Sequence, residues 1–157
     1  MRIRYAAALA LLAAGLLLAT CSPATDQAEP QPPEIVYGQD ICDACGMIIG
    51  EARFAAATVL QDGEARKFDD IGDMFAFHMD HPDQQVRAWF VHDYPTQQWL
   101  RAEKAFYVVD PAIQSPMGHG FAAFAEKTAA EDFAAGLGAN VLDFDEARLA
   151  AHVKIHG

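Results

Sequence analysis

Residues 54–79 read FAAATVLQDGEARKFDDIGDMFAFHM, and the order of elements in this stretch decides the fold. Phe54–Leu60 and Glu64–Phe68 each have the length and composition of a strand. Between them stands Gln61-Asp62-Gly63, and Asp-Gly is a strong hairpin signal because it tolerates the backbone a tight turn requires. From Asp69 the period changes. Ile71, Met74, Phe75 and His78 recur at helical spacing, and Asp69 and Asp70 stand where a cap and the helix dipole both favour acids. Pro82 bounds this helix. Gln85–His92 then reads as a strand, with Val86, Ala88 and Phe90 alternating against Arg87, Trp89 and Val91.

The order β-β-α-β recurs downstream. Lys104–Asp110 and Gly120–Ala125 read as strands, and Thr128–Gly136 as a helix with a capping box of Thr128 and Glu131. Gly136 or Gly138 ends that helix. Asn140–Phe144 reads as a strand and Asp145 to about His152 as a last helix. The expected fold class is α+β: two ββαβ units, at about 48–92 and 103–144, in one compact domain with a C-terminal helix. A single merged sheet with helices on one face is the alternative arrangement.

The first 33 residues stand outside that pattern. Arg2 and Arg4 precede an apolar run from Ala6 to Ala19, which is short for a membrane span and matches the core of a secretory signal. Leu18-Ala19-Thr20-Cys21 resembles a bacterial lipobox, with Thr20 where a smaller residue is usual. Residues 1–20 are thus read as a lipoprotein signal peptide, with an ordinary signal peptide and a free Cys21 as the alternative. Residues 21–33, containing Pro30, Pro32 and Pro33, read as a semi-rigid linker, and 34–157 as the folded domain. The expectation is a periplasm-facing domain held at a bacterial membrane by a lipid on Cys21.

Loss of residues 1–20 removes Arg2 and Arg4 and no acid, leaving 9 basic and 22 acidic residues and a formal charge of −13. Such a chain repels nucleic acid and anionic membrane surfaces. It attracts cations or a basic partner. The sequence contains no Ser-His-Asp arrangement, phosphate-binding Gly loop or carboxylate pair with catalytic spacing, so an enzyme is not expected.

The chemistry concentrates in Ile41-Cys42-Asp43-Ala44-Cys45-Gly46-Met47, read as a tight loop whose far end Ile48 and Ile49 anchor in the core. Thiolate and thioether are soft donors and select soft metals, Cu(I) first among them. The Cys42–Cys45 spacing also suits half of a zinc site or thiol–disulfide exchange. Zinc would require two further ligands, and the mature chain has no third Cys beyond a lipidated Cys21. A thioredoxin-like motif should open a helix, and Gly46 is a poor opening. A second loop, Ser115-Pro116-Met117-Gly118-His119-Gly120, offers Met117 and His119 as further donors.

Three motifs, C-x-x-C-G-M from Cys42, K-F-D-D-I-G-D-M-F from Lys67 and S-P-M-G-H-G-F-A-A-F from Ser115, resemble the NosL family in type and order. These are lipoprotein accessory proteins of nitrous-oxide reductase, and the resemblance covers about Cys42 to Phe144. It implies a fold of two ββαβ units and a periplasm-facing Cu(I) chaperone. The implied partners are the nitrous-oxide reductase apoprotein and other copper-handling proteins. Position by position, the resemblance makes Cys45 and Met47 the principal Cu(I) ligands, with Met117, His119 and Asp69 at matching motif positions and Cys42 as an optional donor.

Overall fold

The computed structural model describes residues 29–157. The signal segment, Cys21 and the start of the linker lie outside the described residues. In chain order the elements are β1 (Ala56–Leu60), β2 (Ala65–Phe68), α1 (Ile71–Asp80), β3 (Val86–His92) and β4 (Trp99–Arg101). A 3-10 turn (Ala102–Lys104) leads to β5 (Phe106–Val109), β6 (Phe121–Phe124), α2 (Lys127–Leu137), β7 (Val141–Leu142) and α3 (Phe144–His156). No helix among the described residues is long and apolar enough to cross a membrane.

The strands form two antiparallel sheets, ordered β2-β1-β3-β4 and β6-β5-β7. In each ββαβ unit the first strand lies in the middle, flanked by the hairpin partner and the strand after the helix. The chain is therefore α+β with two ββαβ units and a C-terminal helix, as the element order implied. The two sheets stay separate and meet at a short parallel bridge between Asp93 and Ala123. Buried Asp93 secures that joint: its carboxylate accepts from Ala125 N at 2.9 Å and from the Thr96 hydroxyl at 2.5 Å.

Local chemistry explains most boundaries. Asp62 Oδ1 accepts from Glu64 N at 2.9 Å and Gly63 takes a φ of 91°, so the Asp-Gly hairpin forms as expected. Gly138, at φ 69°, ends α2. The start of α2 differs from expectation. Its N-cap is Glu126, without a side-chain cap bond, and Thr128 lies inside the first turn. The capping box belongs instead to α3, where Asp143 accepts from Glu146 N and Glu146 accepts from Asp143 N, each at 2.9 Å. That cap shortens β7 to two residues and starts α3 at Phe144. The helix then continues past His152 to His156.

Strand β4 has no sequence signature, since three residues are too few to display a period. It covers the outer side of β3, so the alternation along β3 fails: Phe90, Val91 and His92 are all buried. The end of the linker lies against β4, where Glu29 approaches Arg101 at 3.5 Å.

One core joins the halves. The Phe75 ring, fully buried on α1, packs against Trp89 in the first half and against Tyr107, Phe121 and Phe144 in the second, at centroid distances of 5.6–6.2 Å. A second, smaller core of Phe54, Val108, Ile113, Ala122, Phe124, Ala130 and Ala134 lies under α2. Small side chains let that helix approach its sheet closely.

His78 on α1 makes the fold pH-sensitive. Its Nε2 lies 2.9 Å from Thr58 Oγ1, and Trp89 and Phe68 meet its ring edge-on. Burial, reinforced by His81, Arg148 and Arg66, lowers its pKa from 6.5 to about 4. The fold thus holds the neutral imidazole. Its contribution is complete above the unfolded value and is lost as pH falls from 6.5 towards about 4, on the order of 3 kcal/mol in all. Urea unfolding of wild type and His78→Gln should therefore differ in pH dependence, with wild type losing more stability between about pH 7.5 and about pH 4.5. Parallel curves would contradict this role.

Candidate metal centre

The cysteines lie at the tip of a narrow two-stranded arm. Gly38 N donates to Ile49 O at 2.8 Å, Ile49 N to Asp40 O at 2.9 Å and Cys42 N to Met47 O at 2.8 Å, with Ile41 and Ile48 bridged between them. Gly46 N closes the tip on Cys42 O at 3.0 Å, and Gly46 itself has a φ of 75° that only glycine adopts freely. Pairing gives the arm two faces. Cys42 (2% exposed) and Ile49 (0%) turn to the core. Ile48, expected to share the anchoring, is 56% exposed because it stands opposite Ile41 on the outer face.

Two contacts fix the arm. At its tip, Asp43 exchanges bonds with the Lys67 backbone on β2, and Lys67 Nζ reaches Asp40 at 2.7 Å. At its base, the Tyr37 hydroxyl meets His92 Nε2 at 3.1 Å. His92 Nδ1 faces the Ala55 carbonyl at 3.0 Å, so that nitrogen carries the proton and Nε2 accepts from Tyr37. Burial lowers the His92 pKa and keeps this tautomer neutral.

The tip faces the N-terminus of α1. The Cys45 thiol points at Asp69 Oδ1 at 3.5 Å and the Cys42 thiol at Asp73 Oδ2 at 3.6 Å. One donor atom each from Cys42, Cys45, Asp69 and Asp73 all lie within 4.8 Å of one another. Burial raises the Cys42 thiol pKa, against the backbone N–H groups of Cys45, Asp69 and Ala44 that face its sulfur. Cys45 is pushed far above the ordinary thiol value by burial first, with the neighbouring Cys42 and Asp69 adding to it. Asp69 is also raised, mainly by burial and then by the charge of Asp73. Its Oδ2 is buried and has no hydrogen-bond partner among the described residues. Buried carboxylate oxygens are normally satisfied, so this one marks a place where a cation or a proton fits.

Asp70 joins the second loop to this centre. Fully buried, it caps α1 by accepting from Gly72 N at 2.8 Å. Its other oxygen accepts from the Ser115 hydroxyl at 2.6 Å and from Met117 N at 3.1 Å. Ser115 Oγ in turn accepts from Gly120 N at 2.9 Å. These bonds shape the 115–120 loop and deliver His119, whose Nε2 lies 2.8 Å from Asp73 Oδ1. That bond raises the His119 pKa. From α3, Lys154 Nζ donates to the His119 carbonyl at 2.8 Å.

The arrangement sorts the residues that the sequence singled out. Cys42, Cys45 and Asp69 share one cluster, and His119 adjoins it through Asp73. Met47 and Met117 are 46% and 38% exposed. His78 belongs to the far part of α1. Asp73 was not singled out, although the four-residue spacing from Asp69 was a usable signal, since it places two carboxylates one turn apart. The Cys-x-x-Cys pair stands on an arm tip and opens no helix, contrary to what thioredoxin-like chemistry requires.

Two thiols converging on two carboxylates, with an imidazole behind them, define a metal-binding protein whose site lies near the surface. The chain belongs to the NosL family, whose model matches residues 33–151. It is similar in structure to the copper chaperone NosL from Shewanella denitrificans. The TM-score is 0.65 at 25% identity, over 75% of this chain and 96% of that one. No curated protein sequence matches the chain.

Gly72 controls how closely His119 approaches. A Cβ there would lie 2.5 Å from the His119 Cβ and Cγ atoms. Gly72→Ala should therefore force the imidazole off Asp73, and the His119 pKa should fall towards the ordinary value of about 6.5. An NMR titration of the imidazole protons checks this, and an unshifted titration would contradict the contact.

Proposed function

We propose that this protein is a Cu(I) chaperone, a carrier and not an enzyme. In this reading a lipid on Cys21 tethers it to a bacterial membrane facing the periplasm, and it serves assembly of the copper centres of nitrous-oxide reductase. The observation that carries the proposal is that one donor atom each from Cys42, Cys45, Asp69 and Asp73 lie within 4.8 Å of one another, with the other, buried Asp69 oxygen lacking a hydrogen-bond partner among the described residues. Membership of the NosL family and likeness to a protein described as a copper chaperone support it.

Cu(I) favours thiolate over carboxylate, so Cys45 and Cys42 supply its firm bonds and Met47 a weaker, neutral one. Cys42, optional on the sequence alone, becomes a ligand of equal standing because its sulfur lies beside that of Cys45. Asp69 and Asp73 accept the thiol protons in the free protein, and binding of Cu(I) drives those protons out. His119, held by Asp73, borders the site and is a reserve donor. Met47 and Met117 are exposed, and an incoming ligand displaces a thioether more easily than a thiolate. Stepwise exchange of this kind releases copper without exposing a bare ion. Thiol–disulfide exchange is the weaker reading, because a Cys45 thiol pushed so far upward is a poor nucleophile at neutral pH.

Competition with a Cu(I) chelator under reducing conditions tests the proposal. Cys45→Ala should weaken binding by about two orders of magnitude or more, and Met47→Ala by less. Both thiols are protonated at neutral pH, so apparent affinity should climb about a hundredfold per pH unit between about pH 6 and about pH 8. In Cys42→Ser the slope should drop to about tenfold. Unchanged affinity in the Cys45 variant, or a flat pH profile, would overturn the assignment.

A further inference from the structure

The Cys42-x-x-Cys45 spacing suits half of a zinc site, and no further cysteine among the described residues completes it. The fold completes it with carboxylates. Asp69 Oδ1 lies 3.5 Å from the Cys45 sulfur, and Asp73 Oδ2 lies 3.6 Å from the Cys42 sulfur. Zinc bonds of about 2.3 Å to sulfur and about 2.0–2.2 Å to oxygen, at tetrahedral angles, set neighbouring S and O ligands about 3.5–3.7 Å apart. Both S···O separations therefore match edges of a zinc tetrahedron. All four donors lie within 4.8 Å of one another, within side-chain reach of a single ion.

The two carboxylates are prepared as ligands in different ways. The other Asp73 oxygen is 2.8 Å from His119 Nε2, which orients the carboxylate as outer hydrogen bonds orient metal ligands. The other Asp69 oxygen is buried with no partner among the described residues, so this carboxylate lacks the donors that a buried one normally has. Cys42, Asp69 and Asp73 are buried and Cys45 is half-buried, so the cluster is largely closed. Four protein donors with no open position hold an ion and do not make it catalytic.

The donor set also selects the class of ion. Cu(I) favours the sulfurs and has little use for carboxylates. Zn2+ accepts thiolate and carboxylate together. Ca2+ and Mg2+ are hard ions that take oxygen ligands.

We propose that Cys42, Cys45, Asp69 and Asp73 bind Zn2+ in the copper-free protein, all four as ligands, and that Cu(I) displaces it by taking the sulfurs. The inference rests on the reading of this cluster as the copper site. Entry of Zn2+ expels the two thiol protons to solvent, and the later exchange for Cu(I) transfers no electron. Asp69 and Asp73 thus strengthen the hold on Zn2+ far more than the hold on Cu(I), and they set which metal the empty carrier keeps.

The test loads reduced protein with Zn2+ alone. X-ray absorption at the zinc edge of wild type should show sulfur and oxygen scatterers in equal number. One equivalent of Cu(I) should release the Zn2+ to a chromophoric chelator. Affinities for both metals are then measured by chelator competition in Asp69→Asn and Asp73→Asn. The ratio of zinc to Cu(I) affinity should fall at least about tenfold in each variant. A protein that takes up Cu(I) but no Zn2+ would overturn this inference and leave the carrier reading intact. A zinc shell without oxygen would overturn it as well. So would equal losses of both metals in the two variants, which would make the acids part of the site's architecture. Uptake of Zn2+ into the mixed shell without uptake of Cu(I) would uphold the zinc site and overturn the carrier reading.

Discussion

The buried Asp70 carboxylate is the constraint on which the site depends. A charged group with no exposed surface must be satisfied by donors. Here they are Gly72 N, the Ser115 hydroxyl and Met117 N. One donor begins α1 and two belong to the loop before β6, so a single carboxylate sets the helix start and fixes the second half of the chain against the first. Its neighbours inherit their positions from it. Asp69, just before the cap, faces Cys45, and Asp73, in the first turn, lies between Cys42 and His119. The helix dipole favours acids at this end, which eases the cost of placing Asp69, Asp70 and Asp73 together.

That placement also accounts for the state of the thiols. Burial and nearby acids oppose thiolate formation at Cys45, so the free protein holds protonated sulfurs donating to carboxylates. A cation reverses the balance, because its charge offsets the burial cost that keeps the thiols protonated and turns the nearby negative charge into attraction towards the metal. The site is thereby poised between a closed hydrogen-bonded cluster and a metal-bound one. It lies on an arm tip within reach of a partner, a better position for a carrier than a deep pocket.

Much of this was legible in the sequence, for definite reasons. The Asp-Gly turn, the helical recurrence of Ile71, Met74, Phe75 and His78, and the repeated element order are local signals, and they yielded the two ββαβ units. Sulfur chemistry at adjacent positions pointed to Cys42, Cys45 and Met47 without any structure. What stayed hidden was non-local or too short. The His119–Asp73 bond links residues 46 positions apart. Strand β4 is only three residues long. The Thr128 cap failed because Glu126 began the helix earlier, and the same motif chemistry operates at Asp143 and Glu146. Ile48 looked like core until its pairing with Ile41 turned it outward.

The central claim is that the arm-tip sulfurs, held opposite the start of α1, are what grip the metal. X-ray absorption at the copper edge of reduced, Cu(I)-loaded protein tests it most directly. The account predicts a first shell dominated by sulfur, with at least the Cys42 and Cys45 scatterers present and one sulfur lost in Cys42→Ser. A shell of nitrogen and oxygen alone, unchanged by that substitution, would contradict it.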